Sequence, residues 1–153
     1  METAYLAGGC FWCVEAIFQR VNGVTGLKSG YCNGSTQNPS YESICTGQTG
    51  HAEVVKIDFD ESVVSFEELL DVFVATHDPT SLNQQGADKG TQYRSAIFYV
   101  SDSQKQVASR VIEGITGAVT EITKLDVFYP AEDYHQNYFN DNSNQPYLSL
   151  IHI

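Results

Sequence analysis

The hydrophobic pattern of the chain changes period across a single glycine pair. Residues Thr3 to Ala7 read as a short strand, and Gly8-Gly9 is a backbone-permissive pair suited to a sharp turn. Beyond it Cys10, Cys13, Val14, Ile17, Phe18 and Val21 recur at helical spacing, and Asn22-Gly23 supplies a left-handed stop. A strand that turns at once into an amphipathic helix calls for a helix layer beside a sheet layer, and it puts Cys10 at the N-terminus of that helix.

The rest of the chain extends this pattern. Residues 26–31 are predicted as a second strand, followed by a polar loop holding Asn33-Gly34 and Asn38-Pro39, with His51 to Phe59 as a third strand. In that third strand Glu53, Val55, Ile57 and Phe59 share one face, while Lys56, Asp58 and Asp60 share the other. The apolar face therefore begins with a carboxylate. Ser65 and Glu68 form a capping box ahead of Phe66, Leu69, Leu70, Phe73 and Val74, predicting a helix that ends near Asp78-Pro79.

A long polar loop then runs to Gln92, and Ser95 to Val100 is predicted as a strand. Val107, Val111, Ile112, Ile115 and Val119 mark a helix starting near Ser101 or Ser103, and Leu125, Val127 and Tyr129 a final strand. This order predicts an α+β fold: a two-layer sandwich with a split βαβ (ferredoxin-like) core and a C-terminal tail wrapping the surface from Ala131. With 153 residues, 42% of them hydrophobic, one core-bearing domain is expected. Loops 32–50 and 78–93 are long enough to carry function.

Charge narrows the possible partners. Eight basic against 19 acidic residues, a net charge of -11, leave no basic patch to neutralise phosphates, so neither nucleic acid nor an anionic membrane is expected as a partner. The first residues lack the basic region and apolar run of a secretory signal, and no stretch is long enough to span a bilayer, so a cytoplasmic protein is expected. In that reducing compartment four cysteines are read as buried side chains, metal ligands or catalytic thiols.

Cys10, at a helix start after two glycines, sits where free N–H groups and the helix dipole favour a thiolate; otherwise it is simply the first buried residue of an apolar stripe. Cys13, one turn on, is either a resolving thiol for an oxidised Cys10 or core packing beside Val14 and Ile17. Zinc would need Cys32 and Cys45, which form no second CxxC, so no metal is expected. Glu53 is a candidate general acid with a raised pKa, or a carboxylate paired with a neighbour such as Arg94. Tyr41 and Tyr93 flank the two long loops. His51, His77 and His135 match no zinc spacing and read as hydrogen-bonded structural histidines, and Asp88 reads as a loop acid.

Several segments together carry a resemblance. Gly8-Gly9-Cys10-Phe11-Trp12, Gly30-Tyr31, Pro39-Ser40-Tyr41 and Thr49-Gly50-His51-Ala52-Glu53 occur in order, followed by His77-Asp78-Pro79-Thr80, the run from Gln85 to Ser95, and Tyr134-His135-Gln136-Asn137-Tyr138. Over nearly its whole length the chain resembles the peptide methionine sulfoxide reductase A family. The resemblance implies reduction of the S epimer of free and protein-bound methionine sulfoxide, with no bound cofactor and thioredoxin as reductant. It implies that Cys10 attacks the sulfoxide sulfur while Glu53 protonates the oxygen, with Tyr41 and Tyr93 binding and polarising that oxygen. It further implies that Phe11 and Trp12 cradle the methyl group and that Asp88 hydrogen-bonds the substrate backbone.

One departure concerns the resolving step. Many relatives carry a recycling cysteine directly after a Pro-Tyr pair like Pro146-Tyr147, but position 148 here is leucine, which leaves Cys13 as the candidate resolving thiol ahead of Cys45. Leu148-Ser149-Leu150-Ile151-His152-Ile153 reads as the translation of a transposon-end sequencing adapter. The expected domain is therefore 1–147, with 148–153 a non-native tail. The main alternative is a thiol-disulfide oxidoreductase using Cys10-Phe11-Trp12-Cys13, which the strand order and Glu53 oppose; a zinc-binding module is the third reading.

Overall fold

A computed structural model describes residues 2–35, 40–44, 49–86 and 88–132, and at Tyr41 and Glu42 the backbone alone. Strand β1 (Glu2–Gly8) leads into α1 (Phe11–Phe18), then β2 (Val24–Cys32), the one-turn α2 (Tyr41–Ile44) and β3 (Ala52–Phe59). Helix α3 (Phe66–Thr76) follows, then a two-residue hairpin of β4 (Gln84–Gln85) and β5 (Asp88–Lys89), and a 3-10 turn at Thr91–Tyr93. Strand β6 (Ser95–Tyr99), α4 (Asp102–Glu113), β7 (Glu121–Lys124) and β8 (Phe128–Pro130) complete the described chain.

Six strands form one sheet in the order β7-β6-β1-β3-β2-β8. β1 pairs antiparallel with both β3 and β6, and β2 pairs antiparallel with β3 and β8; β7 joins β6 in parallel. The period-two pattern decides what each face meets. Leu6, Tyr31, Val55, Ile57, Phe59 and Ile97 pack with Phe11, Val14 and Phe18 of α1, Leu69, Leu70 and Phe73 of α3, and Ala108 of α4. The alternate residues Ala7, Cys32, Ala52, Val54, Ala96 and Phe98 form a second cluster, closed by Tyr5, Leu125 and Phe128. The three longer helices thus cover one face, a mixed α+β architecture as expected.

The capping box forms as predicted: Ser65 Oγ accepts from the Glu68 N–H at 3.0 Å, and Glu68 Oε1 accepts from the Ser65 N–H at 3.0 Å. Two helix ends differ from expectation. Helix α1 stops at Phe18 rather than Asn22-Gly23, because the Arg20 and Val21 N–H groups turn tightly onto the carbonyls of Ile17 and Phe18. Helix α4 ends at Glu113 rather than near Val119: Gly114 closes it, Gly117 takes φ 77°, and the Val119 N–H donates to the Pro79 carbonyl at 2.7 Å.

The single last strand expected around Leu125, Val127 and Tyr129 is instead two, on opposite edges of the sheet. Asn33 accounts for the split. Its Nδ2 donates to the Lys124 carbonyl at 2.9 Å and its Oδ1 accepts from the Asp126 N–H at 2.9 Å, which holds the chain as it crosses from β7 to β8. Among the described residues no helix is long and apolar enough to cross a membrane. The tail beyond Glu132, where the surface-wrapping segment and the 148–153 tail were expected, lies outside the described residues, as do Cys45 and His135.

Candidate active site

Cys10 is the N-cap of α1. The chain leaves β1 through Gly9 at φ 93°, where a Cβ would stand 2.8 Å from Cβ and Cγ of Gln85, so glycine is required both by the backbone and by the close approach. Cys10 itself is extended (φ -63°, ψ 125°), and its carbonyl accepts the first helical bonds, from the N–H groups of Cys13 and Val14 at 3.1 and 3.3 Å. The residue is 8% exposed.

The thiol is not activated at rest, contrary to the expectation from the helix dipole. Burial pushes it well above the ordinary cysteine value, the hydrogen-bonded Cys13 side chain and the charges of Glu53 and Cys13 add to this, and only the Trp12 N–H pulls the other way. The Cys10 side chain makes no capping hydrogen bond to α1. In a site this dry the cost of stranding a negative charge outweighs the helix terminus.

Glu53 occupies the apolar face of β3, directly across the ladder from Tyr31 on β2, and is 1% exposed. Its Oε1 accepts from the Phe11 N–H at 3.2 Å. Its Oε2 is buried with no hydrogen-bond partner among the described residues. Burial, offset by the Phe11 N–H and reinforced by the charge of Asp88, pushes the carboxyl up to about 8. The pairing with Arg94 weighed from the sequence is not made: Arg94 Nε donates instead to Glu121 Oε1 at 3.3 Å.

The fold therefore brings Cys10, Phe11 and Glu53 together, with Cys13 against Cys10. Phe11 lies buried between Trp12 and Tyr31, at ring-centre distances of 6.3 and 5.6 Å, while Trp12 is half-buried. Asp88 on β5 is close enough for its charge to act on Glu53. Tyr93 ends the 3-10 turn, an element packed against β3. Tyr41 begins α2, and its side chain lies outside the described residues. A neutral carboxylic acid beside a buried thiol under an aromatic wall suits delivery of a proton to a weakly basic oxygen while sulfur attacks.

Other residues hold this geometry, and sequence reasoning passed over most of them. Gln85 grips the Asp78 backbone from both sides, its Oε1 accepting from the Asp78 N–H at 2.8 Å and its Nε2 donating to the Asp78 carbonyl, and so lies over Gly9. His77 caps the end of α3 with Nδ1 donating to the Phe73 carbonyl, and its Nε2 contacts Ser95 Oγ at 2.7 Å, opposite Gly8 on the β1–β6 ladder. Burial pushes the His77 imidazole below its ordinary value, keeping it neutral. His51 Nδ1 accepts from the Gly34 N–H at 3.1 Å, a structural role of the kind its spacing predicted. Among the described residues no group of histidine, cysteine and carboxylate side chains is placed to hold a metal.

Comparison with known proteins follows the same residues. Positions 2–152 match the family profile described as peptide methionine sulfoxide reductase. The chain is 62% identical over 152 residues to peptide methionine sulfoxide reductase MsrA of Vesicomyosocius okutanii subsp. Calyptogena okutanii (strain HA), covering 99% of this chain and 93% of that protein. It is similar to the crystal structure of Mxr1 from Saccharomyces cerevisiae in reduced form, with a TM-score of 0.89 and 35% identity over 99% of this chain and 91% of that one. Mxr1 solved in complex with Trx2 shares the fold at a TM-score of 0.61 and 24% identity, over 90% and 84% of the two chains.

Proposed function

The chain belongs to the peptide methionine sulfoxide reductase family, and from that premise we propose how its own residues carry the reaction. The enzyme is a peptide-methionine (S)-S-oxide reductase, reducing methionine sulfoxide at the expense of thiols. The observation that carries the mechanism is Oε2 of Glu53, which has no hydrogen-bond partner among the described residues and is buried beside the cysteine-bearing helix start with its carboxyl pushed up to about 8.

At neutral pH both Glu53 and Cys10 hold their protons. Glu53 gives its proton to the sulfoxide oxygen, which is a poor leaving group until protonated, and the Cys10 sulfur attacks the sulfoxide sulfur as its own proton passes to the Glu53 carboxylate. The attack forms a sulfur–sulfur bond; Glu53, holding the proton taken from the thiol, passes it to the hydroxyl, and the sulfur–oxygen bond breaks as water leaves. Water then attacks the Cys10 sulfur while Glu53 takes its proton, the sulfur–sulfur bond breaks, methionine departs as the thioether, and Cys10 is left as a sulfenic acid. The sulfoxide gains two electrons and Cys10 loses them. Phe11 and Trp12 cradle the methyl group, the hydroxyls of Tyr41 and Tyr93 hold the oxygen, and Asp88 receives the substrate backbone.

The Cys13 thiol then condenses with the sulfenic acid, releasing water and leaving a Cys10–Cys13 disulfide. A thioredoxin-type dithiol reduces that disulfide, as the complex of Mxr1 with Trx2 suggests for a relative of this fold. We further read β1-α1-β2-β3-α3-β6 as a split βαβ core, place the protein in cytoplasmic repair of oxidised proteins, and treat residues 148–153 as a non-native tail. The contact between Cys10 and Cys13 also favours a second reading, direct disulfide exchange. A single turnover of Cys13→Ser with a methionine sulfoxide peptide and a sulfenic-acid trap separates the two: one methionine per chain with Cys10 trapped supports reduction, whereas no methionine, with disulfide exchange present in the parent chain and lost in Cys13→Ser, supports the other.

A further inference from the structure

Arg94 links the loops around the site without being part of the reaction chemistry described above. It follows Tyr93 at the close of the 3-10 turn, and its side chain is 13% exposed. Nη1 donates to the Gly50 carbonyl at 2.9 Å and to the Thr91 carbonyl at 3.0 Å, and Nη2 donates to the Asn33 carbonyl at 3.4 Å, while Nε faces Glu121 Oε1 at 3.3 Å. These partners lie far apart in sequence. Gly50, at φ 72°, stands three residues before Glu53; Thr91 opens the turn that ends at Tyr93; Asn33 directly follows β2, whose Tyr31 lies opposite Glu53; Glu121 begins β7.

A guanidinium is suited to this. Its planar fork presents five donors in fixed directions, whereas an ammonium on a flexible stem cannot hold three carbonyls and a carboxylate at once. The Gly50 end is also tied by the Ser35 N–H to the Thr49 carbonyl at 2.7 Å and by the Gly34 N–H to His51 Nδ1 at 3.1 Å, so the entry to β3 is fixed from both sides. We propose that Arg94 is a positioning residue: by binding the loops before β3, after β2 and at the 3-10 turn together, it sets the depth of Glu53 and the place of Tyr93 around the sulfoxide.

The inference rests on the role of Glu53 given above. Of the titratable groups around Glu53, Cys10 stands at the start of α1, Tyr31 lies across the β2 ladder and Asp88 on β5 acts on it by its charge; α1 also carries Cys13 and the buried Glu15, β2 carries Lys28 and Cys32, and the 3-10 turn carries Tyr93. Loosening the Gly50 turn admits water to the carboxyl, which then ionises at lower pH.

The test measures kcat and KM against pH, with dithiothreitol and an S-sulfoxide peptide, for the parent, Arg94→Ala, Arg94→Lys, Glu121→Gln and Glu53→Gln. We expect Arg94→Ala, and to a lesser degree Arg94→Lys, to lose roughly tenfold to a hundredfold in kcat with little change in KM. Their alkaline limb moves down by about one pH unit or more, while Glu121→Gln, which keeps the three carbonyl contacts, retains the parent limb. A folded Arg94→Ala with the parent's kcat and limb overturns the proposal, and if that variant does not fold, Arg94→Lys decides by the same criteria. An alkaline limb that persists in Glu53→Gln overturns the reading of Glu53 itself, a failure distinct from that of Arg94.

Discussion

The Phe11 N–H donates to Glu53 Oε1 at 3.2 Å, so the residue directly after Cys10 fixes one oxygen of the buried carboxyl, while the other has no partner among the described residues. This bond ties β3 to the start of α1 across 42 positions in the chain, in addition to their shared core packing. Thiol and acid are thereby held in register by backbone rather than by flexible side chains, the kind of support a reacting pair needs.

Glu53 should control both activity and stability as pH changes. Its folded value near 8 lies above the ordinary 4.5, so the native state holds a proton that the unfolded chain releases across that window. Stability is therefore greatest below the lower value and declines as pH rises towards 8, by roughly 3–5 kcal/mol in total. Glu53→Gln, whose amide oxygen can still accept from Phe11, should remove this decline and be the more stable protein at pH 9 in urea unfolding. Its kcat should fall by about a hundredfold or more, because proton transfer is lost. Equal urea midpoints for parent and variant from pH 5 to 9 would show that the carboxyl is not desolvated.

Cys10 should resist alkylation until substrate arrives. Burial holds it as a thiol, and the thiolate is the reactive form. With iodoacetamide at pH 7.5, mass spectrometry should find Cys10 and the buried Cys32 labelled more than about tenfold slower than in urea, with half-buried Cys13 labelled first of these three. Rapid labelling of Cys10 in the folded, substrate-free protein would mean that the helix terminus outweighs desolvation after all.

Gly9→Ala should damage the site more than the fold. The substitution forces a side chain into φ 93° and against Gln85, at a cost of about 1–3 kcal/mol, and relief requires the Gly9-Cys10 backbone or the Gln85 loop to move. A thermal melt lowered by a few degrees together with kcat/KM reduced by at least about tenfold is expected, because Cys10 is displaced relative to Glu53. Full activity in this variant would contradict the close packing of Gln85 on Gly9.

What the sequence made legible were features with a local signature. The Ser65–Glu68 cap is a spacing of three residues, and the place of Glu53 on the apolar face follows from strand parity alone. The position of Cys10 followed from the glycine pair. Its protonation state did not, since a helix start can be read from neighbours in sequence while burial depends on Phe11, β3 and the rest of the fold. The split between β7 and β8 and the linking role of Arg94 depend on Asn33, Gly50 and Glu121, 44 to 93 positions away from their partners or 27 for the ion pair. No periodicity carries such information. Gln85 was hidden for a similar reason, because a polar residue in a loop gives no sign that it packs against Gly9.

The central claim is that Cys10 takes oxygen from the S epimer of methionine sulfoxide. The most direct test incubates the parent chain and Cys10→Ser with separated S and R sulfoxide peptides and dithiothreitol, and quantifies methionine. Methionine formed from the S epimer alone, and lost in the variant at unchanged circular dichroism, is the predicted result. Turnover that survives in Cys10→Ser, or that consumes both epimers equally, would contradict the account.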